Sequence, residues 1–387
     1  MRSKLDRYLK TLTGEGYYAF YAYETARDLL LRKKPSKYII ITNADIISLS
    51  KLFPSMDFMD YPKVRGENCD VEENVKFIIE EPGDRFVMPG IVHRKENYLK
   101  EVAKRTIFHV NAFFYDVNNE KFYDPLDSYK YLKEKIITTI SSPKREMKKH
   151  PTFALKVAKV YGETGFTIDP TIEKLLEDSH EINHYQNITE DIADDFKEIL
   201  VSKCPYKAMV LLDKWGILNV ILPELTKLKD VNQDKEYHPE GNAFWHTLQC
   251  LNYVKKPNVN LMMSVLLHDT GKAYGKNNGK NGKPFPNHSI ISRDIAKNVL
   301  RRFYFNREDY REILFLVENH MILNAVNVLP ESRLKKIFDS PYIQNLFELY
   351  RADISSGYHN MKSFHNAAHR YHDYVHKKKL KKIGILI

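Results

Sequence analysis

Cysteine is scarce in this chain: three in 387 residues, at Cys69, Cys204 and Cys250. An odd, widely spaced set suits reduced thiols better than a disulfide framework. None of the three reads as having metal-ligand spacing. Long apolar runs are missing too, since no stretch nears the ~20 residues that a bilayer-crossing helix needs, and a membrane partner is not expected. The opening segment, MRSKLDRYLKTL, lacks the apolar centre and small-residue cleavage site of a secretory signal. The expected compartment is the cytoplasm.

What is present is the composition of a globular protein, 43% hydrophobic and 12% aromatic, at a length that suits two or three units. Net charge is +10, and residues 356–387 supply +6 of it, with seven Lys/Arg against one Asp. A basic tail attracts polyanions such as RNA by releasing their counterions. A solvated, lysine-rich helix end explains the run HKKKLKK equally well.

Residues 1–135 mix two periodicities. ARDLLLRKK (26–34) reads as a helix, YIIIT (38–42) as a buried strand, and TIFHVNAFFYDV (106–117) as strand material rich in β-branched and aromatic residues. From 136 to 230 apolar residues fall three and four apart, as in FALKVAKVYGETGF, and Asp169-Pro170 gives a helix start. The helical pattern continues through 231–355, interrupted by GKNNGKNGKPFPNH (275–288), a polar loop expected to border a site. The expected fold is an α+β opening unit, a mixed sheet with helices, followed by all-α segments, mostly helical overall. The division we expect is 1–135, 136–230, 231–355 and a basic, His-rich tail over 356–387.

Two elements of the third segment carry chemistry. His246 sits in FWHTLQCL, and some twenty residues later LLHDTGK ends an apolar helix with adjacent His268 and Asp269. Neighbouring imidazole and carboxylate can reach one cation, and the mixture suits Zn, Mn, Fe, Co or Ni, whereas an oxygen-only set suits Mg or Ca. His288 in FPNHS, His320 in VENHM and Asp353 in YRADI each begin or end an expected helix. Six such ligands would hold two metals, and four could hold one.

The order H…HD…H…H…D, with helices between its members, resembles the HD phosphohydrolase superfamily. The resemblance implies that His246, His268, Asp269 and Asp353 hold a common metal, and that His288 and His320 are the extra histidines of dinuclear members. It also implies that Asp269 bridges the metals or holds the nucleophile, which gives it a catalytic role. Lys272, one turn on, would meet a substrate phosphate.

A second resemblance covers nearly the whole chain. WGILNVILPELTKLKDV followed by HPEGNAFWHTL is similar to the body-to-HD junction of bacterial CCA-adding enzymes, the tRNA nucleotidyltransferase and poly(A) polymerase family. YAYETARDLLLRKKPSKYIIITNA resembles that family's nucleotidyltransferase head, KRTIFHVNAFFYDVNNEKFYDPLDSYKYLKEKII its next motif, and HPTFALKVAKVYGETGFTIDP its neck. The family's polymerase residues are replaced in turn. Tyr23 and Glu24 stand where it has paired glycines, and Lys37 and Ile39 where it has two metal-binding aspartates. Thr106 replaces a further aspartate, leaving Lys104 and Arg105, and Lys149, His150, Pro151, Thr152 and Phe153 replace the base-reading Glu-Asp-x-x-Arg. Lysine and isoleucine cannot bind Mg²⁺. Arg27, Asp28, Asn111, Asp124 and Pro125 persist and are explained by fold maintenance.

The resemblances imply a degenerate head over 1–135, a neck and body over 136–230, and an HD hydrolase domain over 231–355. The expected function is metal-dependent phosphohydrolysis, as phosphodiesterase or phosphatase, on a nucleotide, a 2′,3′-cyclic nucleotide or an RNA end. The alternatives are a tRNA- or nucleotide-binding protein with a structural metal, and an active CCA-adding or poly(A)-adding enzyme. His365, His369, His372 and His376 recur at helical steps of four, three and four, and a solvated face explains them better than a site.

Overall fold

The computed structural model describes residues 5–54, 66–67, 75–79, 95–179, 182–232, 241–274, 285, 287–357 and 361–382. The chain forms two compact units, one of residues 1–150 with 166–175 and the other of 151–165 with 176–387. No helix among the described residues is long and apolar enough to cross a membrane.

The first unit is built on a mixed sheet. Its strands are β1 (Ala19–Ala22), β2 (Tyr38–Thr42), β3 (Gly66–Glu67), β4 (Val75–Ile79), β5 (Phe114–Asp116) and β6 (Lys121–Tyr123), in the order β3-β4-β2-β1-β5-β6. β2 and β4 run parallel and every other neighbouring pair is antiparallel. All residues of β1 and β2 are buried, as expected of central strands covered on both faces. Alternate side chains enter separate cores: Tyr21 and Ile40 join Leu9, Leu12 and Leu49, while Phe20 and Ile41 join Leu99, Val102 and Phe114. The Asp6–Gly14 helix supplies Leu9 and Leu12 to one face and the Lys95–Ala103 helix supplies Leu99 and Val102 to the other.

The strand expected over 106–117 is only partly formed. Phe114–Asp116 is strand, but His109–Asn111 is a 3-10 turn. The turn brings Asn111 Oδ1 to accept from Nη1 of the buried Arg27 at 2.9 Å, and the Arg27 Nε donates to Asp28 at 3.0 Å. A buried guanidinium must be answered by acceptors, and satisfying it outweighs the strand propensity of the segment. Asp124 accepts from the Ser128 and Tyr129 backbone amides at 2.8 Å each. Arg27, Asp28, Asn111 and Asp124 thus hold this part of the first unit together.

The second unit is helical throughout its described residues apart from one isolated bridge, Asn232 to Asn242. Its central element is the Val259–Leu267 helix, in which Leu261 through Leu267 are all buried. A helix apolar on every side belongs in a core, and the Ala243–Tyr253, Arg307–Asn319 and Ile343–Ser356 helices pack around it. Asparagine caps start three of these: Asn242 accepts from Trp245 N, Asn258 from Leu261 N, and Asn306 from Glu308 N and Asp309 N. The tail forms the Lys362–Lys382 helix, with the Phe364 ring edge-on and the Tyr371 ring tilted against Phe347. His365, His369, His372 and His376 are all exposed on it. Cys69 and most of the 275–288 loop lie outside the described residues, so the expectation that this loop borders a site concerns residues the structure does not describe.

Candidate metal centre

The apolar Val259–Leu267 helix ends in the core, so the two residues that follow it are delivered there. His268 is wholly buried and Asp269 is 2% exposed. His246 comes from the Ala243–Tyr253 helix and Asp353 from the Ile343–Ser356 helix, three residues before its end. His288 opens the His288–Arg302 helix and His320 is the C-cap of Arg307–Asn319. All six residues singled out in the sequence as ligands meet here.

Their donor atoms fall into two groups, each with all members within 4.8 Å of one another. His246, Cys250, His268 and Asp353 form one, and Asp269, His288 and His320 the other. In the first, His246 Nε2 lies 2.9 Å from Asp353 Oδ1 and His268 Nε2 lies 4.0 Å from the same oxygen. In the second, Asp269 Oδ1 is 3.5 Å from His288 Nε2 and 3.7 Å from His320 Nε2. Asp269 connects the groups, because its other oxygen lies 3.3 Å from His268 Nε2.

The histidines are oriented from behind. Nδ1 of His268, His288 and His320 lies 2.7, 2.9 and 2.8 Å from the carbonyl of Val265, Phe285 and Val317, each three residues earlier. A carbonyl can only accept, so each Nδ1 carries the proton and each Nε2 faces the centre, as in metal-ligating histidines. Ser356 does the same for His246: its hydroxyl donates to Asp353 O at 2.7 Å and its oxygen lies 3.0 Å from His246 Nδ1.

The charges are coupled. Burial works to lower His268, but the Asp269 carboxylate beside it prevails and raises it to about 9. Burial works to raise Asp269, yet His268 and Lys272 hold it well below the usual carboxylate range. Asp353 is also held low, with burial opposed chiefly by the hydrogen bond and charge of His246. His320 goes the other way, since burial and then the neighbouring His268 charge push it down to about 3.

These residues fit a divalent cation. Asp269 is buried and the Asp353 side chain only 16% exposed, so a cation between them would offset the cost of desolvating their charges. His268 Nε2 is buried and makes no regular hydrogen bond, with Asp269 Oδ2 lying 3.3 Å away. Imidazole, carboxylate and thiol donors together favour transition metals over Mg²⁺ or Ca²⁺.

Lys272 is placed differently from the expectation of an open phosphate ligand: its Nζ is 2.6 Å from Asp269 Oδ2. Sequence reasoning missed three residues. Cys250, four after His246 on one helix face, brings its Sγ to 3.8 Å from His246 Nε2, and that spacing was the available signal. Ser356 gave none. Gly271 lets the next helix approach: a Cβ there would lie 2.7 Å from Ser292 N and closer still to the His288 carbonyl.

In the first unit, the residues standing for the family's polymerase set make other contacts. Tyr23 has φ +55°, a left-handed backbone suited to glycine. Glu24 pairs with Lys37 at 3.2 Å, and Ile39 is buried in β2. Asp45, the nearest other carboxylate, caps the Ile46–Leu52 helix through Ser48 N at 2.8 Å.

The HD domain family matches residues 244–340. A Multifunctional CCA protein of Aliivibrio salmonicida is 28% identical over 225 residues, covering 56% of this chain and 53% of that protein. An A-adding tRNA nucleotidyltransferase of Deinococcus radiodurans is 22% identical over 234 residues, covering 58% and 53%. The chain thus spans about half the length of these curated relatives. Among solved structures, the Bacillus stearothermophilus CCA-adding enzyme in complex with CTP matches with TM-score 0.61 and 13% identity, over 96% of this chain and 83% of that one. A tRNA nucleotidyltransferase complexed with a primer tRNA and an incoming ATP analog matches with TM-score 0.53 and 16% identity, over 96% and 99%. At such identities the likeness is one of fold.

Proposed function

As a chain of the CCA-adding enzyme fold family with an HD domain in its second half, this protein is, we propose, a metal-dependent phosphohydrolase whose hydrolytic centre is the HD cluster. The observation that carries the reading is Asp269, whose two oxygens face the two donor groups at 3.3 to 3.7 Å. We assign His246, His268, Asp269 and Asp353 to one cation and Asp269, His288 and His320 to a second, of the Mn, Fe, Co, Ni or Zn class. Divalent cations there supply Lewis acidity, acidifying water and drawing charge from a phosphoryl group. Asp269 orients the attacking water, and Lys272, released from Asp269, takes a phosphate oxygen. The substrate class is a phosphoester of a nucleotide or an RNA 3′ end, including 2′,3′-cyclic phosphates. In this reading residues 1–135 are a head retired from nucleotide addition, 136–230 a neck and body, 231–355 the hydrolase and 356–387 a basic tail.

The full chain supplied with Mn, Co or Ni should open a 2′,3′-cyclic nucleotide or release phosphate from a nucleoside monophosphate, and Asp269→Ala should not. Metal-loaded protein inert toward every phosphoester in the series would overturn the proposal. A second reading, tRNA or nucleotide binding with a structural metal, is favoured by the Lys377–Lys379 run, exposed on the tail helix. Salt-dependent RNA binding that survives loss of the metal ligands separates it. Against the third reading, nucleotide addition, stand the Glu24–Lys37 pair and the capping role of Asp45, which engage those two carboxylates in other contacts. Extension of a 3′-truncated tRNA by CTP and ATP would reinstate it.

A further inference from the structure

We propose that Cys250 is a thiolate ligand of the first cation, joining His246, His268 and Asp353 beside the bridging Asp269 to give a group of two nitrogens, one sulfur and one oxygen that selects zinc or ferrous iron over manganese. The inference rests on the reading of this cluster as a metal centre and specifies its chemistry.

Three observations converge on it. The four donor atoms lie within 4.8 Å of one another. Donors placed about 2.0 to 2.3 Å from a tetrahedral cation stand about 3.3 to 3.6 Å apart, and the 3.8, 2.9 and 4.0 Å separations between Cys250 Sγ and His246 Nε2, His246 Nε2 and Asp353 Oδ1, and His268 Nε2 and Asp353 Oδ1 scatter around that spacing. His268 Nε2, fully buried and making no regular hydrogen bond, points independently to a ligand in the same space.

The third observation is Ser356. Its hydroxyl oxygen accepts from the Cys250 thiol at 3.2 Å and lies 3.0 Å from His246 Nδ1, while its proton goes to the Asp353 carbonyl at 2.7 Å. One side chain thus fixes three of the four ligand residues. A cysteine serving only as a small core residue needs no such anchoring.

On uptake the Cys250 S–H bond breaks, the proton passes to water and a sulfur–metal bond replaces both that bond and the hydrogen bond to Ser356, whose oxygen keeps its contact with His246 Nδ1. Thiolate is a soft donor that Zn²⁺ and Fe²⁺ accept more readily than Mn²⁺. With Asp269 and the two remaining histidines forming a harder neighbouring group, the two cations of the centre would differ in kind.

The test uses the reduced full-length protein, stripped of metal and loaded with Co²⁺ alone. The expected result is retained cobalt with a near-ultraviolet thiolate-to-cobalt charge-transfer band, which Cys250→Ser loses while still retaining cobalt. Zinc affinity should fall at least tenfold in that variant, and manganese affinity by less. Cobalt retained without the band, or a band that survives in Cys250→Ser, overturns the proposal while leaving the metal centre standing. No cobalt retained by the unaltered protein overturns both. Should the variant fail to fold, X-ray absorption of the zinc-loaded native protein decides, since a sulfur neighbour at about 2.3 Å is expected and a shell of nitrogen and oxygen alone would refute the assignment.

Discussion

Nε2 of His288 and Nε2 of His320 stand 3.1 Å apart, with Nδ1 of each ring donating to a backbone carbonyl behind it. Two neutral imidazoles so held turn lone pairs toward each other, an arrangement that repels unless a proton or a metal ion joins them. His320 resists protonation, since its burial pushes it down to about 3. His320→Ala should therefore lower bound metal by one equivalent per chain, read by elemental analysis after equilibration with excess Mn²⁺ or Zn²⁺ and desalting. An unchanged metal content would remove His320 from the ligand set.

Ser356→Ala leaves every ligand in place but withdraws the oxygen that orients His246. Loss of such outer partners costs about 10- to 100-fold in metal affinity. The expected outcome is that loss, measured by competition with a chromogenic chelator, with an unchanged circular dichroism spectrum. Native affinity would mean that Ser356 serves packing alone.

Gly271→Ala places a methyl group against the backbone of residues 288–292, which cannot yield as a flexible side chain does. Overpacking of this kind costs about 1 to 3 kcal/mol. Both the thermal midpoint and the second equivalent of metal should fall, because the His288 helix must move away from Asp269. A variant as stable as the native protein would contradict the close approach.

Metal-free stability should depend on pH with a maximum near neutrality. His268, raised to about 9, adds stability that is complete below its unfolded value of 6.5 and is lost as pH climbs through 9. His320, pushed down to about 3, stays neutral when folded, so stability falls as pH drops from 6.5 toward 3 and the unfolded chain takes up the proton. Asp269 and Asp353, both held low, add a further loss once pH falls below the ordinary carboxylate value of 3.8. Thermal melts across this range should show both limbs, and His268→Gln should flatten the alkaline one. A steady rise in midpoint up to pH 9 would refute the assignment.

The helical second half and the adjacent His268-Asp269 pair were legible because both are local patterns, apolar residues three and four apart and an imidazole beside a carboxylate at the end of an apolar helix, whereas the grouping of His246, His288, His320 and Asp353 with that pair came from the resemblance. YIIIT became β2 as read, since five consecutive β-formers fit a strand covered on both faces. The 106–117 segment was misread because propensity cannot register that Arg27 needs Asn111 from 84 positions away. Cys250 was passed over because a cysteine inside FWHTLQCL looks like core, and only the neighbouring helix reveals Ser356 behind it. Tyr23 carries no letter-level sign of its left-handed backbone, which the surrounding fold imposes.

The burial of the Val259–Leu267 helix gives the centre a biological consequence. Its C-terminal end presents His268 and Asp269 inside the core of the second unit, so a metal held there as proposed would draw on the same atoms as the cohesion of that unit. A ligand that binds only the folded chain at a hundred times its dissociation constant adds about 2.7 kcal/mol, enough to change how often a protease meets an open chain. Under metal starvation the protein would then be cleared from the cell rather than merely idled, and its abundance would follow the metal supply.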